Sequence, residues 1–200
     1  MKIAVFVSGN GSNLQALIDA EKKGELADGR IVLVVCDKPG AFALERAKKA
    51  DIKTFVLEAV DQSREEYDKK VLQKLRETKI ELVVLAGFMR ILSDHFVDEY
   101  KSRILNVHPA LLPSFKGASG IKDALEHGVK STGVTVHFVD KKLDSGPIIL
   151  QAHVKVDDAD TLETLEEKIH VEEHKLYPEA VRLFVRGKLK VDGRKVRILE

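Results

Sequence analysis

The chain has 200 residues, 44% of them hydrophobic and 32% charged, with 33 basic and 32 acidic side chains for a formal net charge of +1. That is enough apolar material for a packed core and too much for a disordered chain. The charge balance excludes a strongly basic nucleic-acid module but leaves room for a local anion site, and the single cysteine, Cys36, excludes an intrachain disulfide or a multi-cysteine metal centre.

The opening apolar run, Ile3 to Val7, is too short to cross a membrane and lacks the build of a signal peptide, so a cytoplasmic protein is expected. It reads as a buried strand that enters the loop Ser8-Gly9-Asn10-Gly11-Ser12-Asn13. Leu14, Leu17 and Ile18 then recur at helical spacing. Ile31 to Val35 is a second buried strand, Pro39-Gly40 turns the chain into a helix over Ala41 to Lys49, and Thr54 to Leu57 is a weaker third strand. Ser63 followed by Glu66 is a capping-box signal for a long helix through Tyr67, Val71, Leu72 and Leu75. Leu82 to Ala86 and Ile104 to Val107 are again solidly apolar, as strands covered on both faces are. This alternation predicts an α/β fold: a three-layer Rossmann-like sandwich around a mostly parallel sheet.

Beyond Pro109 the pattern changes. Pro113, Gly117 and Gly120 punctuate a loop, and a helix follows over Ile121 to His127. Val134, Val136 and Phe138 alternate with Thr135 and His137, and Ile148 to Val156 alternates in the same way, which predicts an antiparallel pair extending the sheet. Leu165, Ile169, Leu176, Ala180 and Leu183 mark one helical face, which Pro178 is expected to kink or split. The tail carries a Val-Asp-Gly-Arg turn and a final strand. The chain is expected to form one domain over 1–200, with an α/β half over 1–100 and a second half over 101–200.

Three constellations carry possible chemistry. In the first, Gly9 and Gly11 let a ligand approach the backbone, free amides open the next helix, and Ser12 and Asn13 add side-chain donors. A small phosphate ligand fits as well as a plain strand–helix turn does. The dinucleotide fingerprint is not met, because Leu14 occupies its third glycine position. In the second, Asn106 and His108 alternate at the carboxyl end of a strand and share one side of it, while Asp144 comes from a distant loop. The trio could form an electrophilic site in which Asn106 donates to an oxyanion and Asp144 orients His108. Histidines are more commonly structural or solvated. In the third, His170-Val171-Glu172-Glu173-His174 has the spelling of a zinc-peptidase helix, yet a solvated face or a substrate-facing rim explains it better, so no metal is expected.

Taken together, these segments resemble the folate-dependent phosphoribosylglycinamide formyltransferases. Val7 to Asn13, Ser63-Arg64, Val84 to Leu92, Leu105 to Pro113, Gly133 to Val139, Leu143 to Ile148 and Glu173 to Pro178 carry the likeness. The resemblance implies the formyltransferase fold, with transfer of a formyl group from 10-formyltetrahydrofolate to the amine of 5'-phosphoribosylglycinamide in purine (IMP) synthesis. It implies that Gly11, Ser12 and Asn13 grip the ribonucleotide phosphate and that His170 and Glu173 bind the rest of that substrate. Arg64, Met89, Arg90, Ile91 and Leu92 would frame the folate, with the loop Asp140, Lys141, Lys142, Leu143 to Asp144 over its pteridine; Arg90 could instead be shared with the other substrate. Asn106, His108 and Asp144 would be catalytic, which makes 1–100 the phosphate-binding half and 101–200 the catalytic, folate-binding half. One departure is Ser119, where the family pattern leads one to expect a histidine nearby.

Related folate enzymes share this core. A methionyl-tRNA formyltransferase would add a carboxyl-terminal RNA-facing domain and a deformylase an amino-terminal regulatory one, and neither is expected here. A non-catalytic phosphate-binding module is the remaining alternative. The expected partners are the two small substrates, without nucleic acid or membrane, in a monomer or weak homodimer.

Overall fold

A computed structural model describes all 200 residues. Five strands form the parallel part of its sheet: β1 (Lys2–Val7), β2 (Arg30–Cys36), β3 (Lys53–Val56), β4 (Leu82–Leu85) and β5 (Ile104–His108). Strands β6 (Ser131–Phe138) and β7 (Ile148–Lys155) extend it in antiparallel fashion, as the alternation predicts. The tail supplies a hairpin, β8 (Leu189–Asp192) and β9 (Lys195–Ile198), where one strand is expected, and β9 lies parallel to β7. The full order is β3-β2-β1-β4-β5-β6-β7-β9-β8.

Period-two alternation sorts each strand between two cores. Ile3, Val5 and Val7 face a core shared with α1 (Ser12–Lys22), α2 (Phe42–Lys49) and α6 (Leu162–Val185). Ala4 and Phe6 face the opposite core with α3 (Arg64–Thr78) and α4 (Asp94–Glu99). Helix α5 (Gly120–Glu126) packs Ile121 and Leu125 against the first core. These are the three expected layers. One core draws on both ends of the chain, from Ile3 to Val181, and one sheet crosses the whole molecule.

The caps follow the local chemistry. Glu66 N–H donates to Ser63 Oγ at 3.2 Å, and Ser63 N–H donates to Glu66 Oε2 at 2.8 Å, closing the expected capping box. The short α4, absent from the sequence-based expectation, starts where Phe96 N–H donates to Ser93 Oγ at 3.3 Å.

Pro178 neither ends nor splits α6, which runs as one helix from Leu162 to Val185. An interior proline costs about 3 kcal/mol through its missing donor and ring clash. Tertiary contacts offset this. Leu165, Ile169, Tyr177, Ala180 and Val181 are buried, and the Tyr177 hydroxyl donates to the Leu85 and Leu105 carbonyls at 2.8 and 3.0 Å. Those bonds pin α6 across the ends of β4 and β5, beside the crevice where ligands bind in open α/β sheets.

Candidate active site

The glycine loop after β1 is built for a close approach. Gly11 is left-handed (φ 75°), and a Cβ there would lie 2.6 Å from Ala43 Cβ. Gly9 faces open space instead. No side chain caps α1, so the first amides of the helix lack intrahelical acceptors and present a positive helix end. Asn13 is buried, and its Nδ2 donates to Glu173 Oε2 at 2.8 Å. That bond commits part of the side chain expected to reach an anion, and leaves the backbone N–H of Asn13 for that purpose. It also joins the loop to α6.

Glu173 is buried, and burial pushes its carboxyl above the usual carboxylate range, against the pull of the Asn13 bond and of His170. His170 Nε2 lies 4.0 Å from Glu173 Oε2. The His170 and His174 rings stack in parallel, 6.0 Å between centroids. Burial holds His174 toward its neutral form, reinforced by the charges of His170 and Arg46. No third metal-ligating side chain joins this pair.

The second constellation forms at the end of β5. Leu105 and Val107 point into one core, so Asn106 and His108 share the opposite side. Asp144 arrives on the loop between β6 and β7 with φ 46°. Its loop passes so close to β6 that a Cβ on Gly146 would sit 1.8 Å from the Phe138 carbonyl oxygen. His108 and Asp144 are only 4% and 8% exposed, so any charge on either needs a partner nearby. Asp144 Oδ2 lies 3.5 Å from His108 Nδ1 and accepts from Gly117 N–H at 2.8 Å.

His137, passed over as a site residue in the sequence reading, completes the group. The antiparallel register places it directly opposite Asn106. Its Nδ1–H donates to the Phe138 carbonyl at 2.8 Å, which leaves Nε2 as an acceptor for Asn106 Nδ2 at 3.2 Å. Burial lowers the pKa of His137 and keeps that acceptor unprotonated. The Asn106 amide is thereby oriented, with a second N–H left to donate. Asp144 Oδ1 stands 3.7 Å from His137 Nε2. The sequence signal is partial: Thr135 and His137 alternate with core residues, and the register of β6 on β5 then sets them against His108 and Asn106.

The loop bearing Ser119 packs onto His108. His108 Nε2–H donates to the Phe115 carbonyl at 2.7 Å, and a Cβ on Gly120 would lie 3.4 Å from that nitrogen. Ser119 stands at the head of α5 without making a capping bond.

The residues expected to frame the folate differ in exposure. Met89, Ile91 and Leu143 are exposed apolar side chains, whereas Leu92 is buried in the core and offers only its backbone. The Arg90 guanidinium lies 4.3 Å from the Tyr67 ring centroid, and Arg64 opens α3 nearby in sequence. Lys141 Nζ donates to Asp98 Oδ2 at 2.8 Å, and Lys142 N–H donates to Asp140 Oδ1 at 2.9 Å, which shapes the 140–144 loop.

The chain is similar to known proteins over most of its length. The formyl transferase family description matches residues 1–181. Phosphoribosylglycinamide formyltransferase of Bacillus subtilis is 42% identical over 182 residues, 90% of this chain and 93% of that one. The crystal structure of glycinamide ribonucleotide transformylase 1 from Symbiobacterium toebii superposes with a TM-score of 0.97 at 44% identity, covering 100% of this chain and 94% of that one. The trifunctional purine biosynthetic protein adenosine-3 of Chironomus tentans is 45% identical over 96% of this chain, which spans only 14% of that longer protein. With the β5–β6 corner and the β1 loop both in place on this fold, the chain belongs to the formyl transferase family.

Proposed function

We propose that this chain transfers the formyl group of 10-formyltetrahydrofolate to the amine of 5'-phosphoribosylglycinamide, giving 5'-phosphoribosyl-N-formylglycinamide and tetrahydrofolate in de novo purine synthesis. The observation that carries this reading is the corner itself. Asn106, His108, His137 and Asp144 converge there from two strands and a loop, with an Asn106 N–H left to donate.

The ribonucleotide phosphate sits on the amides of Gly11, Ser12 and Asn13, and Glu173 with His170 meets the sugar or glycinamide end. The region suits an amphiphilic aromatic acid, since exposed apolar Met89 and Ile91 flank Arg90 in sequence and Leu143 is exposed on the 140–144 loop. When bound, the folate supplies an electrophilic formyl carbon on a nitrogen leaving group. Asn106 donates to the formyl oxygen as negative charge develops there. His108 donates through Nε2–H, a donor held on the Phe115 carbonyl, so the ligand oxygen displaces that carbonyl or shares the N–H with it. The Asp144 carboxylate compensates an imidazolium at His108 and assists proton transfer through water from the attacking amine to the folate nitrogen, whose bond to the formyl carbon breaks as the tetrahedral intermediate collapses. The amine attacks in its neutral form. Buried Cys36 takes no part, and burial pushes its thiol pKa up, away from nucleophilic behaviour.

Both halves of the chain feed both substrates in this reading. The 1–100 half supplies the phosphate loop but also Arg64 and Arg90, while the 101–200 half supplies the catalytic corner but also Glu173. The test is transfer itself. Purified protein with both substrates should form N-formylated ribonucleotide only when the amine is present. Formyl loss at the same rate without the amine would assign a deformylase activity instead.

A further inference from the structure

We infer that Arg46 is a positioning residue for phosphate recognition: it aims the Gly11 amide without touching substrate. The inference rests on the phosphate reading of the glycine loop. Arg46 lies on α2, half-buried, and spends its guanidinium on that loop. Its Nε–H donates to the Asn10 carbonyl at 2.9 Å, Nη2 donates to Asn10 Oδ1 at 3.0 Å, and Nη1 donates to Gln15 Oε1 of α1 at 3.2 Å. The fork is further fixed over the Phe42 ring, 4.9 Å from its centroid.

The consequence follows from peptide planarity. The Asn10 carbonyl and the Gly11 N–H belong to one trans peptide unit, so they point in opposite directions. Fixing the carbonyl on Arg46 turns the Gly11 N–H away from α2, and that N–H makes no hydrogen bond within the protein. The neighbouring residues are held by other means. Ala43 N–H donates to the Gly9 carbonyl at 3.1 Å, and Met89 N–H donates to Ser8 Oγ at 2.9 Å. No other side chain bonds the Asn10 carbonyl. A lysine at position 46 keeps the charge but cannot span Asn10 O, Asn10 Oδ1 and Gln15 Oε1 at once.

The experiment compares Arg46→Lys, Arg46→Gln and Gly11→Ala with the parent chain. It measures kcat, KM for the ribonucleotide, KM for the same nucleoside without its phosphate, folate KM and Tm. Both Arg46 variants should raise the ribonucleotide KM about tenfold, the effect of losing roughly one net hydrogen bond of alignment. The dephosphorylated nucleoside, kcat and folate KM should stay within about twofold, so preference for the phosphorylated substrate falls by about that tenfold. A preference unchanged in Arg46→Lys and Arg46→Gln but lost in Gly11→Ala overturns the role of Arg46 while leaving the phosphate site intact. A preference unchanged in all three overturns the phosphate reading and this inference with it. A matching rise in both nucleoside KM values, with a lower Tm, would make Arg46 merely structural and also overturn the inference.

Discussion

The β1 loop and the β5–β6 corner sit on one sheet, yet they are made differently. The loop is local: one strand end, two glycines and the first turn of the next helix lie within residues 7–14, and the donors it presents are main-chain amides. The corner is non-local: Asn106, His137 and Asp144 come together only through strand register and a tight loop. In the proposed function, binding of a phosphate depends on backbone that the fold preorganises, whereas the chemistry depends on the protonation and orientation of a few side chains. Damage to one region should therefore leave the other working.

The largest expected effect is at the corner. Asn106→Ala removes the donor that His137 orients, and kcat should fall by about 10²–10³, the range for loss of one oxyanion donor, while ribonucleotide affinity stays near that of the parent. Rapid-quench kinetics with equilibrium titration separates the two; a loss confined to affinity would undo the division. Next comes the loop. Gly11→Val must relieve both a left-handed φ and the 2.6 Å approach to Ala43, so ribonucleotide KM should rise at least about tenfold with kcat little changed. A kcat collapse at unchanged KM would show that the loop serves the chemistry directly.

His137→Phe keeps the burial and discards the acceptor. The Asn106 amide then loses its orientation, and a fall in kcat of about tenfold is expected, roughly one hydrogen bond. His137→Gln, whose side-chain oxygen can accept, should recover part of it. Failure of both variants to move kcat would leave His137 a packing residue.

A smaller effect concerns stability. Glu173 has its folded pKa raised by burial, so its neutral form is favoured in the fold, and that contribution is full below the unfolded pKa and is lost as pH rises through the folded value. Glu173→Gln should therefore show a smaller decline in Tm than the parent as pH rises from acid toward neutral. An identical pH profile would contradict this sign. The smallest effect is none: chelation should leave turnover unchanged, because His170 and His174 stack on each other without gathering a third metal-ligating side chain. Activity lost to chelation and restored by zinc would refute it.

The sequence exposed what local rules govern. Apolar runs between helical patterns located β1 to β5, Ser63 and Glu66 announced the cap of α3, and paired glycines marked the turn from β1 into α1. It hid what long-range packing decides. Pro178 argued against a continuous α6, but Tyr177 and the buried face hold the helix together. Asn13 looked like a free donor until the fold brought Glu173 from 160 residues away. His137 became legible only once β6 was paired antiparallel with β5 in a definite register.

The separation of binding from chemistry is tested most directly in one variant. His108→Ala, titrated with ribonucleotide and then followed through a single turnover with formyl donor present, should bind with a Kd within about twofold of the parent and transfer at least about 100-fold more slowly. Equal losses in affinity and rate would contradict the account, because His108 would then belong to the binding of the ribonucleotide and not to the chemistry at the β5–β6 corner.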